Sequence, residues 1–294
     1  TAARQAEGAD LKKHPGPADW DAYGGWAKGP ALKATGHFRT EKVDDRWWLV
    51  DPDGHLFWSH GITCVCGNET TRVKNREQFF ASLPPEAVSA GRWNNLDSII
   101  KKKYDGDWNQ YFDLAHARLR SWGMNTIGNW SSDRVSRNKS RRTPYVLSVH
   151  YGGPKLKGGF PEVANPGFRN ALADALAGFA RGGADKDAYC IGAFIDNELQ
   201  TWTEDEKVAE TYFSTCREEM RKALPSLLYL GCRFDFHFFP TEGPKAPVRM
   251  AAKYCDVVSF NRYRFTCDEL SLPDGAEDKP IIIGVFHFGA LDRG

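Results

Sequence analysis

Residues 281–294, IIIGVFHFGALDRG, decide how this chain is read. The apolar start fits a strand buried inside a parallel sheet, because a half-exposed strand would alternate polar and apolar residues. His287 and Phe288 end the run, where a strand delivers a loop to a rim. Runs of this kind recur upstream at residues 56–66, 124–130, 145–151, 189–199, 228–235 and 256–263, with 280–288 the last.

Helical patterns lie between these runs. Residues 107–122 carry an apolar stripe at Tyr111, Leu114, Ala115 and Leu119. Asn165 and Pro166 open a second helix, as cap and first helical residue, and Gly182 and Gly183 end it. Residues 203–224 begin on a capping box of Thr203 and Glu206, and residues 246–254 make a shorter helix. Ahead of them, a Gly/Pro-rich lead-in over 14–36 precedes a hairpin over 37–49. It turns at Asp44 and Asp45, and a second turn follows at 51–54.

Alternating strands and helices imply the α/β class, a parallel sheet covered by helices. No strand is followed by a Gly-x-Gly-x-x-Gly or Walker pattern, which disfavours a nucleotide-binding sheet. Polar and aromatic residues gather where the strands end: His60, Asn129 and Trp130, His150, Asp196 to Glu198, Asp235, Asn261 to Tyr263, and His287. That distribution is expected of a (β/α)8 TIM-type barrel, whose chemistry sits on the rim at the strand C-termini. The expected organisation is a lead-in and hairpin over 1–55 packed on a barrel over 56–294. Seven strands are visible, and the chain stops before an eighth. Pairing between chains or a further C-terminal segment would cover the open edges.

Composition limits the partners. Thirty-nine basic against 38 acidic residues give a net charge of +1, against nucleic acid or anionic membrane as the main partner. No apolar run approaches the ~18 residues that span a bilayer, and the polar start lacks a signal-peptide core. Of the seven cysteines, Cys64, Cys66, Cys190, Cys232 and Cys255 are read as buried free thiols. Cys64 and Cys66 near His60 lack a second ligand pair at zinc spacing, so neither metal nor cofactor is expected. Ten Trp, ten Tyr and eighteen Phe are in excess, and Trp and Tyr suit stacking on sugar rings.

The fourth strand, residues 191–198, is an apolar run ending in Asp196, Asn197 and Glu198. An Asn-Glu pair in this place resembles the acid/base end of retaining glycosidases. There the Glu protonates the leaving oxygen and the Asn binds the neighbouring hydroxyl. Such a mechanism needs a second carboxylate ~5–5.5 Å from the first. In barrels of this type it ends strand seven and accepts from an aromatic on strand six. Tyr263 supplies the aromatic; strand seven supplies Val285.

Residues 36–61, GHFRTEKVDDRWWLVDPDGHLFWSHG, then 128–131, 196–198 and 286–294, resemble the β-agarases of glycoside hydrolase family 50. The resemblance implies a (β/α)8 barrel and retaining cleavage of β-1,4 bonds in agarose-type galactans. It also implies a secreted or periplasmic protein, a cytoplasmic one staying open. Glu198 matches the acid/base. The family pattern Gly-Glu-Phe-His-Phe-Gly has Glu as nucleophile, where this chain has Gly284, Val285, Phe286, His287, Phe288 and Gly289. Valine forms no glycosyl ester, so the alternative is a non-catalytic galactan-binding protein descended from such an enzyme. Asp235 or Glu242 could instead act as base in an inverting reaction, with ~6.5–9.5 Å between carboxyls. His60, Asn129, His150, Tyr263 and His287 are candidates for bonding hydroxyls, and Trp58, Trp130 and Trp202 for stacking.

Overall fold

The computed structural model describes residues 2–67, 70–83, 85, 88–94, 96–235, 243–264, 266–268 and 270–286. His287, the rest of the closing motif and Glu242 lie outside these residues. In chain order, α1 (Ala2–Lys13) precedes the strands β1 (Arg39–Val43), β2 (Arg46–Val50), β3 (Leu56–Phe57) and β4 (Gly61–Ile62). Next come β5 (Thr70–Arg72), β6 (Val88–Ser89), β7 (Arg92–Asn94), α2 (Leu96–Tyr104) and α3 (Trp108–Ser121). β8 (Thr126–Ile127), α4 (Asp133–Ser136), β9 (Tyr145–Val149), α5 (Gly167–Arg181) and β10 (Cys190–Ile195) follow. The last elements are α6 (Glu206–Ala223), β11 (Leu228–Tyr229), α7 (Ala246–Tyr254), β12 (Val258–Arg262) and β13 (Ile281–Phe286).

The chain forms two compact units, Thr1–Asp19 with His60–Thr143 and Trp20–Ser59 with Pro144–Gly294. In the first unit, β4 pairs in parallel with β8. A Cβ on Gly61 would fall 2.0 Å from the Thr126 carbonyl oxygen, so only glycine allows that approach. β5, β7 and β6 form a small antiparallel sheet in a stretch that carried no strand expectation. α1 is also new. It buries no residue and is tied down by polar contacts, Glu7 to Arg118 and Arg4 Nη1 to Gln110 Oε1 at 3.0 Å.

Helix α3 sits where expected; of its stripe Ala115 and Leu119 are buried, together with Phe112 and His116, while Tyr111 and Leu114 are half-buried. A buried histidine is tolerated because both ring nitrogens are matched. Nδ1 lies 2.9 Å from Thr143 Oγ1 and Nε2 3.0 Å from the Val135 carbonyl. Burial pushes its pKa down to about 4. A histidine with a depressed folded-state pKa stabilises fully above the unfolded value near 6.5, and that stability is lost as pH falls through 4. Urea denaturation should therefore show about 3 kcal/mol eroding over that window, in proportion to the shift. His116→Gln should flatten this part of the profile; an unchanged slope would contradict the assignment.

The second unit holds the strands that carry the candidate site. β1, β2 and β3 form an antiparallel sheet. Asp44 and Asp45 both have positive φ, 48° and 58°, the paired left-handed conformation of a tight hairpin turn. The run read as one strand over 56–66 divides here. Leu56–Phe57 pairs antiparallel with β2, and Gly61–Ile62 belongs to the other unit's parallel pair. β9, β10 and β11 pair in parallel, as do β12 and β13. A parallel bridge joins Phe234 to Phe260. These strands alternate with α5, α6 and α7, as a parallel sheet requires. Among the described residues no closed barrel forms.

β10 is buried along its whole length, which explains why its sequence is continuously apolar. Ile191 and Phe194 join Phe38, Leu49, Phe57, Leu228, Leu230 and Val257 in one core cluster, so the N-terminal sheet packs on the parallel strands. α6 starts at Glu206 and is capped by Asp205, whose side chain accepts from Lys207 N at 3.0 Å. That replaces the expected Thr203–Glu206 box; Thr203 Oγ1 instead accepts from Asp205 N at 3.2 Å. Asn165 accepts from Gly167 N at 2.8 Å and opens α5. All seven cysteines are free, but Cys64 is exposed and Cys66 half-buried, against the expectation of burial. Their positive φ, 59° and 54°, places them in a turn rather than a strand. Among the described residues no helix is long and apolar enough to cross a membrane.

Candidate active site

Within the second unit, Glu198 follows β10 in a backbone of unusual shape. Asp196 and Glu198 have φ of 60° and 50°, a conformation that non-glycine residues rarely hold. Packing sustains it: the Glu198 N–H is shared between the carbonyls of Cys232 and Arg233, at 3.2 and 3.1 Å. Arg233 is itself left-handed, φ 51°, and its N–H donates to Ser259 Oγ at 2.9 Å. Such strain, held by neighbours, is common where side chains must be aimed.

Asp196 is the strut of this turn. Its Oδ1 accepts from Tyr151 N at 2.8 Å and its Oδ2 from Tyr212 Oη at 2.9 Å, linking the end of β9 to α6. Its exposure is 5%. Burial raises its pKa, opposed by those two bonds. Asp196→Ala would leave the Tyr151 N–H buried and unmatched, costing ~1–3 kcal/mol, while the Tyr212 hydroxyl keeps the Ile195 carbonyl at 3.2 Å. A stability loss of about 1–3 kcal/mol in chemical denaturation is expected, with Asp196→Asn losing clearly less. Equal losses in the two variants would argue against the strut.

Glu198 is half-buried and accepts two bonds on Oε1. Asn261 Nδ2 donates at 2.6 Å, and Tyr263 Oη donates in a short contact. Asn261 Nδ2 also reaches Asn197 Oδ1 at 3.1 Å. Burial and the bond to Glu198 push the Tyr263 hydroxyl up to about 12, so it stays a donor. Arg233, fully buried, lies over the Phe194 ring at 4.7 Å and adds positive charge facing Glu198 and Tyr263. Its pKa falls to about 10 through burial, opposed by Cys232 and then Glu198.

Val285 is placed by register. Asn261 is the pairing partner of Val285 in the parallel β12–β13 ladder. Residues directly opposite in a ladder project to one face, so Val285 shares the face from which Asn261 reaches Glu198. The ladder is irregular just before, where Phe260 pairs with Ile283 and Gly284 is passed over. Arg233 fills the space beside Gly284: a Cβ there would lie 2.3 Å from Arg233 Cδ.

Asn197, Glu198, Tyr263 and Asn261 are thus brought together, and Asn261 and Arg233 are the components that reading the sequence did not assign. Asn261 was visible as a polar residue at a strand end. Arg233 follows an apolar strand, and nothing local signals its burial.

The other expected residues make contacts of their own. Asp235 is 3% exposed and accepts from Gln200 Nε2 at 2.6 Å. His150 is exposed, with Nε2 3.1 Å from Ser148 Oγ. Trp202 is 8% exposed, stacked on Phe213 at 5.5 Å and edge-on to Phe160 at 4.6 Å, so packing occupies most of the ring expected to stack on sugar. Trp58 is 72% exposed and meets Trp48 at 6.1 Å. His60, Asn129 and Trp130 belong to the first unit. There His60 N donates to Asn125 Oδ1 at 2.9 Å, Asn129 is buried, and Trp130 is 42% exposed with φ 60°.

A half-buried carboxylate at a parallel strand end, ringed by Asn, Tyr and Arg, is equipped to bind polyhydroxyl ligands and exchange a proton. The comparisons agree on the class: the fold is that of a glycoside hydrolase. The chain matches a solved agarase, AgWH50C, with TM-score 0.81 and 26% identity over 99% of this chain and 55% of that one. A solved exo-β-agarase matches with TM-score 0.76 and 22% identity over 100% and 59%. β-Agarase B of Vibrio sp. (strain JT0107) is 26% identical over 92% of this chain, and β-agarase A of the same strain 24% identical over 86%. In sequence and fold the chain thus resembles the family 50 agarases. It spans 41% and 37% of the lengths of those two Vibrio relatives. No family model matches.

Proposed function

We propose that this chain carries the sugar cleft of a (β/α)8-type agarase with the nucleophile replaced, and that it binds agarose-type galactan oligosaccharides without hydrolysing them by the retaining route. The observation that carries the reading is the β12–β13 register, which supports Val285 on the Glu198 face where a retaining site needs its second carboxylate. Glu198 keeps the acid/base position, while Asn197, Tyr263 and His150 serve as hydroxyl partners. In this reading the protein works outside the cytoplasm, where galactans are met.

In a retaining reaction the nucleophile forms an ester with the anomeric carbon while Glu198 protonates the leaving oxygen. Valine supplies neither an ester nor charge for an oxocarbenium ion. Tyr263, which in such sites donates to the nucleophile, here donates to Glu198. Glu198 is then held by Asn261 and Tyr263 as an acceptor, suited to a sugar hydroxyl. The Asp235 bond to Gln200 and its burial support a structural acceptor rather than an inverting base.

The test is calorimetry with neoagaro-oligosaccharides on the unmodified chain. Saturable binding is expected, weakened about tenfold by Asn197→Ala, as for one lost hydrogen bond. Absence of binding to every agarose-type oligosaccharide would refute the proposal.

A further inference from the structure

A second cluster of titratable groups lies in the N-terminal part of the second unit. Asp51 is 0% exposed. Its Oδ1 accepts from the N–H groups of Asp53 and His55 at 3.0 and 2.9 Å, which builds the turn at 51–54. Its Oδ2 has no hydrogen-bond donor. Facing that oxygen are the Asp21 carboxyl, His55 Nδ1 at 3.8 Å and the backbone of Gly25, where a Cβ would come within 2.0 Å. Asp21 is fixed in turn: the N–H groups of Tyr23, Gly24 and Gly25 donate to its Oδ1 at 2.9, 2.8 and 2.8 Å. Its Oδ2 meets His55 Nδ1 at 2.7 Å. Two carboxyls, each anchored as an anion by backbone amides, therefore face one another in a dry place. Such a pair needs positive charge between them, a proton or a metal ion.

We propose that Asp21 Oδ2, Asp51 Oδ2 and His55 Nδ1 form a binding site for a divalent cation of the zinc type. The three ligand atoms lie within 4.8 Å of one another. The separations of 2.7 and 3.8 Å bracket the edge of about 3.4 Å that a tetrahedral zinc with ~2.1 Å bonds requires. Two carboxylate oxygens with one imidazole nitrogen suit zinc better than calcium, which takes six to eight oxygens. His55 retains 24% side-chain exposure, which leaves an approach for a water as fourth ligand. Binding requires a neutral imidazole, so it releases any proton held on Nδ1.

The ion would clip the turn after Trp20 to the turn after Val50. Those segments already meet through Trp26 N donating to the Leu56 carbonyl at 2.8 Å. Leu56 leads into Phe57, which packs with Phe38 and Phe194, and Phe194 carries Arg233 on its ring. The clip thus acts on stability beneath the strand that bears Glu198, independently of any galactan.

The experiment strips the full chain with EDTA and adds zinc, reads the melting temperature with the zinc in excess, and reads bound metal after gel filtration. One zinc per chain is expected, and Tm rises by roughly 5 °C at a free zinc concentration about 100 times Kd. Asp51→Asn and His55→Gln should each abolish both effects, while Cys64→Ser with Cys66→Ser should leave them intact. The Asn variant mimics the protonated acid and should fold as well as the stripped parent; if it does not, His55→Gln decides. No retained zinc, retention in both site variants, or loss with the cysteines would overturn the site and leave the pair joined by a proton alone.

Discussion

Val285→Glu should convert a binding protein into a glycosidase. The substitution returns a carboxylate to the face that Asn261 shares with Glu198, where ~5–5.5 Å between the two carboxyls gives the retaining geometry. Loss of a covalent nucleophile in another hydrolase class costs on the order of 10^6 in rate, about 8 kcal/mol. Restoration into a site that has adjusted to valine should recover part of this, at least ~10^3 over the parent. The local charge favours the change. Arg233 already sits beside Gly284, and Tyr263 can turn its hydroxyl from Glu198 to the new carboxylate. Reducing-end release from neoagaro-oligosaccharides measures the gain, and a retained β-anomer in early product identifies the mechanism. No gain in a variant that folds and still binds would remove Val285 from the nucleophile position.

Glu198→Gln in the Val285→Glu background should then lower the rate by about 10^2–10^4, the usual worth of general acid–base catalysis. Gln keeps the acceptor for Asn261 and Tyr263, so binding should persist while turnover falls. The loss should be largest for natural galactosides, whose leaving alcohol needs a proton, and much smaller for aryl galactosides with acidic leaving groups. A uniform loss across leaving groups would mean that Glu198 only binds substrate.

Much of this site was legible in the sequence because a parallel strand buried on both faces must be continuously apolar, and whatever polar residue ends it stands out. Glu198 after β10 is read in that way, whereas Val285 is read from the family pattern, on a β13 that is half-buried rather than buried as its apolar run suggests. Tyr263 follows directly after β12 on the same argument. What stayed hidden depends on contacts distant along the chain. Arg233 becomes a site residue only because Phe194, Gly284 and Glu198 surround it. The left-handed backbone at Asp196, Glu198 and Arg233 has no glycine to announce it. Helix α1 is equally silent, since none of its residues is fully buried and Arg4 and Glu7 tie it down through polar contacts. The split of residues 56–66 between two sheets has the same origin, because an apolar run does not reveal which neighbour will pair with it.

The proposed cleft binds galactan and lacks one carboxylate. Its most direct test is paired: calorimetric binding and product release, both on the unmodified chain with one neoagaro-oligosaccharide. Binding with no release above the buffer rate is predicted, whereas turnover that disappears in Glu198→Gln would contradict it.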